Sequence, residues 1–430
     1  MWKDILKGTS MLTAGVIFSR IFMFLFRYIC MLSLSIENYG RLTLLITSFN
    51  ALIIFAHFNF GNSVLKYWSD ENESIKSKKQ IYFNSIYLSF ITSLIAFLFL
   101  LFIWVKIINI NFYLSISLLI GVFSFTFFTI NWGLFIGNFK IKYSALINAS
   151  LGLSRFLLIV LFLFIFNRIN MNIVLYSYLI GALFPFILSI LILKMKFNLI
   201  PNPFLKTNFS KNNKIFSYST FIMLSGIIFS LLEFYIRWIL SKYSLESTAL
   251  YDGAFLMYVI FQMILSSYIM NMVPHVSKKI SKGESVSIMS KMDLFFVLLI
   301  VIIISLIFNS TSLGTNLLDI MHLGKYSHSL KIFSILVITI PFSIYFGTYQ
   351  AILQGIGKTR DLSLIVIIGS MLYLIGSPVL IKYLSIFGAA IMYVLLYIAL
   401  DVISLIFINR LNIPIKTVFV LKRVINKYSK

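Results

Sequence analysis

Six charged side chains stand inside otherwise apolar text, and their types bound the chemistry this chain can offer. The bases are Arg20, Arg27, Arg155 and Arg237; the acids are Glu233 and Asp401. Glu233 and Arg237 fall in "SLLEFYIRWIL" at an i, i+4 spacing with the acid first, the favourable order for a pair on one helix face. A charge at the centre of a bilayer costs about 2.5–3.5 kcal/mol on the insertion scale, so such residues are rarely idle. Arg20 and Arg27 lie two helical turns apart on one face. A guanidinium fork matches phosphate oxygens at two points and stays charged at any relevant pH. Four bases against two acids leave the apolar segments net positive, which favours an anionic ligand over a cationic one.

Each residue also has a structural reading. Glu233 and Arg237 either neutralise each other so that their helix can insert, or line a cavity in which Arg237 is available for phosphate. Arg27 either snorkels to the outer interface or joins that cavity. Arg20 and Arg155 are too central to snorkel and are expected to face wet space. Asp401 is an interface residue or an ion-coupling site. His57 reads as a hydrogen bond within the bundle or as a proton carrier. Asn131, Gln350 and Gln354 are candidates for contacting sugar hydroxyls. "GLFIG" at 133–137 reads as a close helix contact, and Pro185, Pro341 and Pro378 can kink their helices.

The elements that carry these residues follow from composition and run length. Of 430 residues, 60% are hydrophobic and only 11% charged, well below the roughly 25% of soluble domains. Apolar runs of spanning length recur at about 9–34, 40–65, 81–105, 112–138, 144–167, 171–193, 216–241, 249–274, 292–309, 330–354, 361–382 and 386–409. The first run holds Arg20 and Arg27 and lacks a small-residue cleavage pattern, so it is read as a retained helix. With the amino terminus inside, 25 basic residues fall on the inner side and seven on the outer. That bias sets both termini in the cytoplasm. It also accounts for most of the formal charge of +23 without nucleic acid as a partner.

The expected fold is therefore an all-α polytopic membrane protein with twelve transmembrane helices. A basic connection at 194–215 divides them six and six: an N-terminal bundle over 1–193, a C-terminal bundle over 216–410 and a basic cytoplasmic tail over 411–430. "AGVIFS" at 14–19 matches "SGIIFS" at 225–230, and "ENYG" at 37–40 lies opposite "ALYD" at 249–252 in nearly the same register. These matches favour two pseudo-symmetric six-helix bundles around a central cavity, as in many transporters. The connections are too short to hold a soluble catalytic domain. The sequence has no P-loop, no His/Cys/acid cluster with metal-ligand spacing and no D-x-D pair, so neither a cofactor, a metal nor an enzyme activity is expected.

Several stretches carry a resemblance. They are "GTSMLTAGVIFSRIF", "ENYGRLTLL", "FGNSVLKYWSDE", "SLLEFYIRWILSKYSLESTALYDGAFLMY", "VPHVSKK", "ILQGIGKTR" and "FGAAIMYVLLY", in that order over about 400 residues. The chain resembles the polysaccharide transporter family, the Wzx-type flippases, within the superfamily that also holds the MATE drug exporters and the lipid II flippases. The resemblance implies a MATE-like fold in the bacterial inner membrane and alternating access. Its cargo would be a polyprenyl-pyrophosphate-linked glycan of O-antigen or capsule type, carried from the cytoplasmic to the outer leaflet. Arg20, Arg27, Arg155 and Arg237 would then hold the substrate, while Glu233 and Asp401 would couple the cycle to H+ or Na+. A glycan polymerase and a chain-length protein are the partners such a flippase works beside. A MATE-like exporter of cationic compounds, or a membrane glycan polymerase or glycosyltransferase, are the other readings.

Overall fold

The computed structural model describes residues 2–69, 73–108, 110–138, 140–199, 212–259, 262, 286–287, 324–355, 358–410 and 415–416. In chain order the helices are α1 (Trp2–Ser33), α2 (Ile36–His57), α3 (Phe60–Ser69), α4 (Ile75–Ile107), α5 (Phe112–Gly137), α6 (Ile141–Phe166), α7 (Met171–Ile180), α8 (Leu183–Phe197) and α9 (Asn212–Tyr243). Residues 245–259 are also helical. Helices Ser329–Val337, Thr339–Gly355 and Thr359–Arg410 follow. A parallel ladder of two residues per strand pairs Val286 with Ile415 and Ser287 with Lys416.

Eight described helices are long and apolar enough to cross a membrane, and nine if Ser329–Val337 and Thr339–Leu353, bent by 42°, form one span. The longest, Thr359–Arg410, contains Ser385 at φ 51° and ψ −131°, a non-helical residue that separates two arms. Those arms correspond to the expected segments 361–382 and 386–409. The expected segment 292–309 lies outside the described residues, as do most of the 194–215 connection and most of the tail. Compact packing divides the chain into unit 1, Met1–Phe234, and unit 2, Tyr235–Lys430, with the boundary inside α9.

Local chemistry explains where the helices start. The side chains of Ser35, Ser74, Asn111 and Asn170 accept hydrogen bonds from the backbone N–H groups of Asn38, Ser77, Leu114 and Ile173. Each cap satisfies a donor that the first helical turn leaves open.

Three expected spans are interrupted in their helical hydrogen bonding. The run 40–65 stops at His57, because Phe58 and Asn59 are left-handed (φ 48° and 52°), and resumes as α3. The run 171–193 has a short break in its helical hydrogen bonding at Gly181 and Ala182 yet continues as one span, Met171–Phe197, and the run 330–354 bends by 42° at Ile338. The last two breaks sit three to four residues ahead of Pro185 and Pro341, where a proline ring displaces the i−4 carbonyl and offers it no N–H. Two proline-freed carbonyls are met by side chains of neighbouring helices. Ser154 on α6 donates its hydroxyl to the Gly181 carbonyl at 2.6 Å. Tyr235 donates to the Leu374 carbonyl, four residues before Pro378, at 3.2 Å. Inside a bilayer such side-chain donors are what make a proline tolerable.

The GLFIG stretch is a helix contact, and its partner is α3. A Cβ on Gly133 would lie 2.1 Å from the Gly61 carbonyl oxygen, and one on Gly137 would lie 2.9 Å from that of Leu65. Backbones this close require hydrogen in place of a side chain. Gly226 is the opposite case, since its Cβ would meet nothing nearer than 3.6 Å. Gly133→Ala is therefore expected to lower thermal stability by about 1–3 kcal/mol through overpacking. Gly226→Ala is expected to be neutral or slightly stabilising, because it only restricts the unfolded chain. Thermal unfolding of the two purified variants in detergent checks the contrast, and equal melting temperatures would contradict it.

Candidate functional site

Unit 1 brings several of the expected charges into one neighbourhood. Arg155 on α6 is only 3% exposed. Its Nε donates to the Tyr178 carbonyl at 2.9 Å, and its guanidinium lies 3.7 Å from the centroid of the Tyr178 ring. Nη1 stands 3.7 Å from Met23 Sδ, while Nη2 has no hydrogen-bond partner. No carboxylate pairs with Arg155 among the described residues. An N–H left unsatisfied in this way costs about 1–3 kcal/mol, more when the group is charged. Arg27 on α1 is half-buried and near enough to Arg155 to act on it electrostatically. Arg20, one face of α1 further back, is exposed and feels the charge of Glu233 on α9, which is half-buried.

Beside this cluster, unit 1 has an open cavity of about 390 Å³ lined by Asn50, His57, Asn59, Asn62, Thr129 and Trp132, with Phe125, Gly61, Ser230 and two isoleucines completing the wall. The break between α2 and α3 lies on this wall. Broken helices commonly line transporter sites because their ends expose polar groups at membrane depth. Asparagine tolerates the left-handed turn at Asn59 well, whereas a phenylalanine at Phe58 is strained there. The cavity is linked to the arginine through Tyr178, whose hydroxyl donates to Asn50 Oδ1 at 2.8 Å. The α9 end of the wall is fixed by Ser63 and Ser219, whose hydroxyls lie 2.6 Å apart.

Asn131 does not line that cavity. It is fully buried, accepts from the Tyr82 hydroxyl at 2.7 Å and donates to Ser189 at 2.8 Å, which ties α4, α5 and α8 together. His57 closes α2, and its Nδ1 accepts the backbone N–H of Asn59 at 3.0 Å. The side chain of Gln354 lies outside the described residues, and Gln350 is half-buried on its helix.

Unit 2 contains Arg237 and Asp401. Arg237 is 2% exposed, and its Nε and Nη2 both donate to Asp252 Oδ1, at 2.9 and 2.8 Å. The guanidinium also stands 4.8 Å from the Phe255 ring centroid. Asp252 is itself buried, a third acid in the apolar segments where only Glu233 and Asp401 were expected. The clue was its position opposite Gly40 in the repeat match, inside an apolar helix rather than before it. Asp401 is 8% exposed and lies near Tyr345 and Tyr349. Neither Asp401 Oδ1 nor the Tyr345 hydroxyl has a hydrogen-bond partner.

Removing one partner of a buried ion pair strands the other charge. Asp252→Ala is thus expected to destabilise the protein by about 3–5 kcal/mol, and the double variant Arg237→Met/Asp252→Leu to recover most of that loss. Unfolding of the three proteins in one detergent checks this. A double variant no more stable than Asp252→Ala would contradict it.

With this geometry in hand, comparison with known proteins identifies the chain. No curated protein matches it in sequence. The solved structure of an inward-facing multidrug resistance MATE family transporter of the MOP superfamily is 14% identical, with 96% of each chain covered and a TM-score of 0.72. The lipid II flippase MurJ in an inward closed conformation is 15% identical over 93% of this chain and 87% of that one, with a TM-score of 0.70. A MOP superfamily transporter from Pyrococcus furiosus is 12% identical over 96% and 95%, at a TM-score of 0.66. At such low identity these likenesses establish the fold. It is the twelve-helix, two-lobe architecture of these transporters, and the chain is a multi-pass membrane protein. The family model for polysaccharide biosynthesis proteins matches residues 5–280, well over half of the sequence, and the chain belongs to that family.

Proposed function

We propose that this protein is a flippase that moves a polyprenyl-pyrophosphate-linked oligosaccharide, an O-antigen or capsule-like repeat unit, from the cytoplasmic to the outer leaflet by alternating access. The observation that carries this reading is Arg155: a buried guanidinium with an open N–H, no carboxylate and a second arginine close by. Such a site is incomplete without an anion, and a pyrophosphate brings several acceptor oxygens to it. Arg20 and Arg27 extend the positive stretch along α1. Arg237 has its charge matched by Asp252, so it serves to hold its bundle together rather than to meet substrate.

A cation exporter would need acids where these arginines stand. Glu233 and Asp401 are the groups through which H+ or Na+ would drive the cycle, Asp401 because its Oδ1 lacks a hydrogen-bond donor. The basic bias of the inner connections supports a bacterial cytoplasmic membrane with both termini inside. The released lipid-linked unit would pass to a glycan polymerase and its chain-length partner.

Deleting the gene in the native host is expected to remove surface polysaccharide and leave single lipid-linked repeat units on the cytoplasmic side. Restoring Arg155→Ala at normal protein level is expected to recover at most about a tenth of export, the loss of one charged hydrogen bond. Unchanged glycan and lipid pools, with new sensitivity to cationic dyes, would move the protein to the drug-exporter reading.

A further inference from the structure

The cavity beside Arg155 contains no charged residue, and its hydrogen-bonding valences can be followed atom by atom. Asn50 spends its Oδ1 on the Tyr178 hydroxyl, which leaves its amide N–H groups for the cavity. His57 accepts at Nδ1, so the neutral ring carries its proton on Nε2 as a donor. The Asn62 amide donates to Asn59 Oδ1 at 3.4 Å, leaving the Asn59 N–H groups and the Asn62 carbonyl oxygen open. Thr129 donates to the Thr126 carbonyl at 2.7 Å and keeps oxygen lone pairs to accept with. Trp132 contributes its ring to the wall, while its Nε1–H is sealed from the open space and has no hydrogen-bond partner among the described residues.

The cavity thus presents donors from Asn50, His57 and Asn59 and acceptors from Asn62 and Thr129, with the Trp132 and Phe125 rings in its lining. A phosphate or carboxylate, which only accepts, leaves the two acceptors facing negative charge. An organic cation finds no acid. A ring bearing several hydroxyls, each able to donate and accept, satisfies both kinds of group and lays its C–H face on the aromatic walls. The volume, near the lower end of the roughly 300–1,000 Å³ of ligand pockets, suits one ring rather than a chain of them.

We infer that this cavity is a binding subsite for a single neutral pyranose ring, with the Asn50 and Asn59 amides donating to its hydroxyls and Asn62 Oδ1 accepting from one. That the ring belongs to a lipid-linked glycan rests on the flippase reading above; recognition of the ring itself does not.

The test is equilibrium binding of radiolabelled methyl glucoside, methyl galactoside and methyl N-acetylglucosaminide to the full-length protein in nanodiscs. Glucuronate and inorganic phosphate serve as anionic probes in parallel. At least one neutral glycoside is expected to bind saturably with a dissociation constant on the order of 1 mM. Thr129→Val, which keeps the side chain's shape and removes only the hydroxyl, and Asn62→Ala are each expected to weaken that binding about tenfold and to leave phosphate binding unchanged. Failure of all three neutral glycosides to saturate, glucuronate binding as tightly as they do, or binding indifferent to both variants would overturn the assignment. These outcomes are separable from the deletion phenotype. Lost export in the host with no glycoside binding sinks the subsite alone, and glycoside binding with an unchanged surface glycan sinks the flippase reading alone.

Discussion

A polar group in the middle of a helix bundle surrounded by hydrocarbon has to find its partner within the protein, on its own helix or a neighbouring one, because no bulk water is there to supply one. That constraint runs through both units. Proline frees the carbonyls of Gly181 and Leu374, and hydroxyls from Ser154 and Tyr235 take them. Asn131 binds three helices through both ends of its amide. Trp104 donates to Ser48 between α4 and α2 at 2.9 Å. Where Gly133 brings α5 onto α3, the chain instead removes side chains so that the helices approach.

Against this background the groups left unmatched stand out. In unit 2 the guanidinium of Arg237 is answered by Asp252 within the same unit. In unit 1, Arg155 rests on a carbonyl and an aromatic ring, with one nitrogen open and another arginine nearby. A few ångströms of hydrogen-bonded chain, through Tyr178 and Asn50, connect it with a neutral cavity lined by asparagine amides. An anionic head and an attached uncharged ring are the two parts of one ligand that such a pair of neighbouring environments would accept. Asp401, open at Oδ1, is the comparable unmatched group of unit 2 and the candidate for an ion's role there.

The order of apolar runs and the placement of lysines were enough to anticipate a polytopic all-helical chain, because hydrophobic length and the basic bias are properties of composition along a line. The breaks were legible only in part. Pro185 and Pro341 announced two of them, but the break after His57 has no proline, and Phe58 is an unusual residue for a left-handed turn. Arg155 and Arg20 were visible as costly charges. Their surroundings were not, since Asp252, which pairs with Arg237, lies fifteen residues away on the next helix. The neutral cavity was missed altogether. Asparagines at 50, 59 and 62 look like ordinary polar residues until the turn after α2 sets them opposite Thr129 and Trp132.

The most direct measurement is translocation itself. Purified protein would be reconstituted into vesicles carrying a polyprenyl-pyrophosphate-linked oligosaccharide in the inner leaflet, and its appearance in the outer leaflet followed with a glycan-specific probe. The wild-type protein should accelerate that appearance over protein-free vesicles, Arg155→Ala should lose most of the acceleration, and Arg237→Met/Asp252→Leu should keep it. Wild-type vesicles no faster than protein-free ones, or Arg155→Ala as fast as wild type, would contradict an open arginine in unit 1 as the seat of substrate recognition.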